Sequence, residues 1–178
     1  MIICPGAVED AREIAALHAV SWRTAYRGLL PDSFLDGLVF EERLRYWTAR
    51  MPAPDAPRRR LFKAVCDRTI VGFACVALDA EPQWGALLDN LHVKPEMKGQ
   101  GIGSRLFREA REWIGVAAPG APMHLTVIEQ NVNARHFYDR LGGRIVERKT
   151  VEVIPGTPLA ILRYIWEPYT SGSTNLRR

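Results

Sequence analysis

Three glycines at alternate positions, Gly99, Gly101 and Gly103, stand between a short apolar stretch and an amphipathic one. Leu87, Leu88, Leu91 and Val93 predict a strand, which Pro95 stops because proline has no N–H for a ladder bond. From Ile102 the apolar residues Leu106, Phe107, Ala110, Trp113 and Ile114 recur at steps of three and four, which predicts a helix with one buried face. The first N–H groups of a helix have no partner within it, and the helix dipole places partial positive charge there. Glycines beside such an end let backbone amides close on an anion with no side chain in the way. The chemistry expected of Lys98, Gly99, Gln100, Gly101, Ile102, Gly103 and Ser104 is therefore the binding of a phosphate or pyrophosphate.

Spacing narrows the ligand. The dinucleotide fingerprint is G-x-G-x-x-G, and Gly99-Gln100-Gly101-Ile102-Gly103 is one residue short of it. A Walker loop would need Gly-Lys-Ser/Thr after its glycines, which is absent, so a nucleotide-binding module is disfavoured. The run Lys98-Gly99-Gln100-Gly101-Ile102-Gly103 after Leu91-His92-Val93-Lys94-Pro95-Glu96 resembles the acyl-CoA loop of the GNAT superfamily of N-acetyltransferases. Lys98 stands where that family has Arg or Gln. A second segment resembles the family independently: Asn131, Ala134, Phe137, Tyr138 and Gly142 match Asn-x-x-Ala-x-x-aromatic-Tyr-x-x-x-Gly, with Gly143 where Phe is usual.

The resemblance spans about residues 1 to 168 and carries expectations. It implies an α/β (α+β) acyl-CoA N-acyltransferase fold, a mixed sheet of about seven strands with about four helices. It implies an acyltransferase that moves the acetyl group of acetyl-CoA to a primary amine by direct attack in a ternary complex, without a metal. Tyr138 then sits where the family keeps a Tyr beside the CoA sulfur, and a phenol of pKa ~10 can protonate or hydrogen-bond a thiolate of pKa ~8.5. Asn131 sits where the family contacts the pantetheine arm, and it also suits a helix cap. Leu91 and Val93, with His92 between them, belong to the strand whose backbone meets pantetheine and the acetyl carbonyl. Trp22 and Tyr26 fall on the helix that walls the acceptor site, although two aromatics four apart on a helix also suit a core.

The proton acceptor is the least determined position. Many family members carry Glu near the start of the central strand, and here that place is Leu87. Asp89 is the nearest carboxylate, and period-two alternation puts it on one face with Leu91 and Val93. The same alternation turns His92, whose ordinary pKa suits a base, to the opposite face, and a relay of water to bulk solvent is the other route for the proton. His18, His124 and His136 show no metal spacing and read as surface or packing residues. A non-catalytic acyl-CoA-binding module is the alternative that the missing Glu allows. A small amine and a protein N-terminus both remain open as acceptors.

The remaining elements must position these groups. Met1 to Pro5 predicts a first strand, and Ile14, Leu17, Ser21 and Ala25 trace one helical face as far as about Tyr26. Gly28 and Pro31 break it, Asp32 opens a second helical piece with Phe34, Leu35 and Leu38, and a third runs from about Glu41 to Arg50. Leu61 to Cys66 and Ile70 to Leu78 predict a hairpin about Asp67-Arg68-Thr69. Met123 to Ile128 reads as a buried strand, Asn131 to Leu141 as a helix that Gly142 ends, and Arg144 to Ile154 and Leu159 to Trp166 as closing strands.

At 178 residues with a net charge of +4, the chain has the bounds of one N-acetyltransferase domain over residues 1–168 and a polar, disordered tail over 169–178. Arg58-Arg59-Arg60 and Arg177-Arg178 account for the excess charge, which is no nucleic-acid footprint. Cys4, Cys66 and Cys75 have no C-x-x-C spacing and read as reduced residues of a cytoplasmic protein. No apolar run approaches the ~20 residues of a membrane span. Family members often dimerise, so a homodimer is compatible with this reading.

Overall fold

The computed structural model describes residues 1–53 and 56–170. Seven strands, β1 (Ile2–Pro5), β2 (Arg59–Cys66), β3 (Thr69–Glu81), β4 (Gly85–Val93), β5 (Met123–Ile128), β6 (Arg144–Ile154) and β7 (Thr157–Trp166), form one sheet in the order β1-β2-β3-β4-β5-β7-β6. Four α-helices accompany it: α1 (Ala11–Ala25), α2 (Val39–Arg50), α3 (Ile102–Ala117) and α4 (Val132–Arg140). All pairings are antiparallel except that of β4 with β5. The mixed α/β architecture and the element order are those expected from the sequence.

Two apolar clusters show which helices cover which face. Phe62, Ala64, Val71, Ala74 and Val76 point toward α3, against Leu106, Phe107, Ala110 and Ile114. The alternate residues Leu61, Ile70, Phe73 and Cys75 point the other way, against Ile14, Leu17 and Trp47 of α1 and α2. Alternation along β2 and β3, reset once where Val71 is an extra residue opposite β2, thus supplies both cores from the same strands.

One expectation changes, and another falls outside the described residues. The second and third helical pieces are one: a π-helical turn, Phe34–Leu38, runs directly into α2, with Leu35 and Val39 both buried. The polar tail lies almost wholly outside the described residues, which end at Thr170.

The largest departure is in β4. The register with β3 passes from Leu88↔Val76 to Asn90↔Cys75, so Asp89 is an extra residue, a β-bulge. Leu88 lies on the α3 face with Val76, and Leu91 lies there with Ala74. Asp89 and Asn90 both turn to the α1/α2 face. Asp89 therefore does not share a face with Leu91 and Val93, as unbroken alternation predicts, but shares one with His92, the partner of Phe73.

Candidate functional site

β4 and β5 pair in parallel only at Ala86↔Met123 and Leu87↔His124. Beyond these pairs a cleft of about 660 Å³ opens between them, lined by Leu88 to Val93 on one side and Leu125 to Ile128 on the other. Because the two strands belong to one sheet, the cleft joins the α3/α4 face to the α1/α2 face.

On the α3/α4 face the glycine loop forms its mouth. Gly99 and Gly101 hold φ of 80° and 77°, a left-handed conformation that a side chain disfavours. A Cβ at either would meet nothing within 4 Å, so both look onto open space at the start of α3. Gly101 caps α3, its carbonyl accepts from Arg105 N at 3.0 Å, and the first turn carries no acidic residue. Lys98, Ile102, Gly103 and Ser104 also line the cleft. Gln100 is not among the lining residues; its amide reaches the Met97 sulfur at 3.8 Å. An exposed helix N-terminus with a neighbouring lysine and no carboxylate favours an anion.

α4 brings its two expected residues to the same cleft. Asn131 caps the helix, its Oδ1 accepting from Ala134 N at 3.2 Å, and lines the cleft as well. Tyr138 is 8% exposed, and its ring packs against Phe137 at 5.3 Å, Tyr164 at 5.8 Å and Trp166 at 5.9 Å. Tyr164 Oη donates to Asp139 at 2.8 Å and Trp166 Nε1 donates to the Leu141 carbonyl at 2.9 Å, so the cage around Tyr138 is itself anchored. Burial pushes the Tyr138 phenol well above its ordinary range, and the nearby Tyr26 pushes it further, so it holds its proton. Gly143 has a packing reason: a Cβ there would lie 2.6 Å from Trp166 Cζ2 and 2.7 Å from Tyr164 Cδ1.

The α1/α2 face is aromatic. Trp22 and Tyr26 meet edge to face at 5.3 Å, and both line the cleft. The Arg43 guanidinium stands 4.4 Å from the Trp22 ring and 4.7 Å from the Tyr46 ring, and is paired with Glu42. Asp89 lines the cleft where Tyr46 Oη donates to it at 2.7 Å, with Arg59 Nη2 at 3.9 Å.

His18, read from the sequence as a surface or packing residue, is packed among aromatic rings and lines the cleft as well. It is buried beside the cleft with its ring 4.2 Å from that of His92. Trp47 Nε1 donates to His18 Nδ1 at 3.1 Å, and since an indole N–H only donates, the neutral His18 carries its proton on Nε2. Ser21 Oγ lies 2.9 Å from His92 Nδ1 and ties α1 to β4. Burial, then Arg43 and Lys98, lowers His92 to about 3; burial, then His92 and Arg43, lowers His18 well below its ordinary value. Both imidazoles are neutral near pH 7.

Sequence reasoning missed His18, Ser21, Thr126, Val151, Val153 and Ile161, all of which line the cleft. His18 and Ser21 were within reach of it, being four residues and one residue before Trp22 on one helix. Val151 and Val153 carried no local signal, since their place depends on how β6 lies across the sheet. The charged lining residues divide by face: Lys98 and Arg140 lie on the loop before α3 and the end of α4, and Asp89 is the one carboxylate among the described lining residues. Such an arrangement can hold a phosphorylated molecule from one face and a neutral or cationic molecule from the other, meeting where the strands part. Among the described residues no helix is long and apolar enough to cross a membrane, and no group of three or more His, Cys, Asp or Glu is placed to hold a metal.

Comparison with known proteins gives the same outline. Residues 17–143 match the model of the Acetyltransferase (GNAT) family. The chain is 27% identical over 174 residues to the uncharacterized N-acetyltransferase YuaI of Bacillus subtilis (strain 168), covering 96% of this chain and 95% of that protein. It is 33% identical over 114 residues to the peptidyl-lysine N-acetyltransferase YjaB of Salmonella typhimurium, covering 64% of this chain and 67% of that one. In fold it is similar to the PaiA N-acetyltransferase of Thermoplasma acidophilum, solved in complex with coenzyme A, with a TM-score of 0.74 at 21% identity over 95% of this chain and all of that one.

Proposed function

The chain belongs to the GNAT acetyltransferase family, and from that membership we propose that it transfers the acetyl group of acetyl-CoA to a primary amine by direct attack in a ternary complex. The observation that carries this reading is the parting of β4 from β5, which connects an anion cradle on one face to an aromatic, carboxylate-bearing wall on the other. Acetyl-CoA supplies an activated thioester. The residues of the cradle fit such a molecule: open left-handed glycines, a bare helix N-terminus, and Lys98 and Arg140 as phosphate partners.

In this mechanism the amides from Lys98 to Ser104 bind the pyrophosphate, and Asn131 with the backbone of Leu91 and Val93 holds the pantetheine arm and acetyl carbonyl. His92, the residue between them, turns its side chain to the acceptor face. The amine lone pair forms the new C–N bond, the C–S bond breaks, and its electron pair stays on sulfur. Tyr138 donates its phenolic hydrogen toward that sulfur. Asp89 accepts the proton that the amine gives up, directly or through one water. Trp22 and Tyr26 wall the amine and keep bulk water from the thioester.

No covalent acyl-enzyme is needed. Burial, with Asp89 adding to it, pushes the Cys75 thiol up to about 12, so it stays protonated and a poor nucleophile. A homodimer and a cytoplasmic setting are compatible with this activity and not required by it.

Thermal unfolding with and without acetyl-CoA, with NADH and ATP as controls, tests the reading. A ligand at a hundredfold its Kd adds ~2.7 kcal/mol, enough to raise the midpoint by several degrees. A rise with acetyl-CoA alone, followed by amine-dependent thiol release, is expected. Equal rises with NADH or ATP would overturn the cradle assignment.

A further inference from the structure

The α1/α2 half of the cleft is lined by four kinds of group, one of them the neutral polar set His18, Ser21, Asn90, His92 and Thr126. Trp22 and Tyr26 of α1 are aromatic; Ile128, Val151, Val153 and Ile161 of β5, β6 and β7 are aliphatic; Asp89 supplies one carboxylate. The strand register places Ile128, Val151 and Ile161 on this face. Ile128 pairs with Ile161, neither belongs to the cluster under α3, and Val151 lies two steps along β6 from Lys149, the partner of Ile161. The further step in the same direction, Glu147, pairs with Arg163 and forms an ion pair with it, so Glu147, Lys149 and Val151 share one face; Val153 falls at the irregularity between Glu152 and Ile154 and reaches the cleft there.

None of the cations near this half, Arg43, Arg59, Lys149 and Arg163, is a lining residue; Lys149 is paired with Glu147, and Arg163 with Glu81 and Glu147. Arg43 is held against the Trp22 and Tyr46 rings and paired with Glu42, and Arg59 is turned to Asp89. The lining cations, Lys98 and Arg140, belong to the opposite face.

We propose that the acceptor is a primary amine at the end of an unbranched apolar arm that carries neither a carboxylate nor a second ammonium; this deepens, and rests on, the transferase reading of the site. Asp89 receives the amine end. A carboxylate on the arm would lie among Ile128, Val151, Val153 and Ile161 with no lining cation to receive it. A second ammonium would lose its water with no second carboxylate to replace it. A plain arm instead exchanges water for these side chains, and each CH₂ so buried favours binding roughly fourfold. Free alkylamines and the lysine side chain of a peptide share this chemistry.

Steady-state thiol release with hexylamine, its ω-carboxylate analogue and its ω-amino analogue tests the proposal, because only the far end of one arm changes. Hexylamine is expected to exceed both in kcat/KM by at least tenfold. N-acetyl-lysine methylamide then separates the sources: parity with hexylamine supports a peptide lysine, and a lower value supports a free amine, either being consistent with the arm. Val151→Asp and Val153→Asp are each expected to raise the diamine relative to hexylamine by about tenfold, with the acetyl-CoA-induced rise in unfolding midpoint retained as proof of fold. A diamine or amino acid preferred by the unsubstituted protein, a preference for peptide N-termini, or an unchanged ratio in both folded variants would each overturn it. If acetyl-CoA raises the midpoint but no amine is turned over, the transferase reading fails and the arm with it; turnover in the wrong order fails the arm alone.

Discussion

Tyr46 Oη donates a 2.7 Å hydrogen bond to Asp89 Oδ2, joining α2 to the residue that the β4 bulge leaves without a partner on β3. Two features thus fix Asp89, the one carboxylate among the described lining residues, on the α1/α2 face: an inserted residue that turns it there, and a phenol that holds it. Tyr46→Phe keeps the ring between Arg43 and Arg50 but removes the donor. A single hydrogen bond of this kind is worth about 1 kcal/mol, so kcat/KM for a good amine is expected to fall roughly fivefold. Asp89→Asn is expected to lower it by roughly a hundredfold or more. A kcat/KM for Asp89→Asn within twofold of the unsubstituted protein would remove Asp89 from the mechanism.

Tyr138→Phe keeps the packing against Phe137, Tyr164 and Trp166 while removing the hydroxyl. A loss of roughly 10² or more in kcat is expected, with the KM for acetyl-CoA changed little, because in the proposed mechanism the donor acts on the departing sulfur. The sign of the pH dependence also follows. Burial raises the phenol above its ordinary value, so the donating form persists through neutral and mildly alkaline pH. A kcat limb falling near pH 8 that disappears in Tyr138→Phe would contradict this assignment.

Gly101→Ala places a methyl group where nothing in the chain stands within 4 Å, but at φ of 77°. The left-handed conformation costs a non-glycine residue about 1–2 kcal/mol, so a modest drop in the unfolding midpoint is expected without ligand. The same methyl intrudes on the mouth of the cradle, so the KM for acetyl-CoA is expected to rise by at least tenfold while the amine KM stays near its starting value. Equal effects on both would show that the loop serves stability alone.

His124 is buried, and its Nδ1 accepts from Arg163 Nη1 at 2.7 Å, while Arg163 also donates to Glu81 and Glu147. Burial, with Arg163 adding to it, lowers His124 to about 4, below its unfolded value of ~6.5. A lowered histidine stabilises the fold fully above the unfolded pKa and loses that contribution as pH falls toward the folded one. His92, lowered to about 3, acts in the same direction. Stability is therefore expected to decline from about pH 6.5 toward pH 4, each histidine adding roughly 1.4 kcal/mol per pH unit to the slope. Denaturant unfolding at several pH values measures this, and His124→Asn should flatten the profile; an unchanged slope would exclude His124.

What the sequence determined was whatever local chemistry fixes. Pro95, the alternating glycines and the apolar period after Ile102 mark where a strand ends and a helix begins, because each acts on its own backbone within a few residues. Asn131 and Gly142 bound α4 for the same reason, and so the glycine turn, the start of α3 and the place of Tyr138 on α4 were legible with the family pattern beside them. The tertiary structure alone decided the α1/α2 side of the cleft. One residue inserted opposite β3 resets the alternation of β4, and pairing across strands leaves no trace in the spacing of β4 itself; hence Asp89 joins His92 and not Leu91. His18 reaches the cleft because Trp47 of α2 and the His92 ring close around it, a contact made across 29 residues in one case and 74 in the other. Val151 and Val153 become walls of a cleft only because β4 and β5 separate after two pairs, and that parting is a property of the assembled sheet.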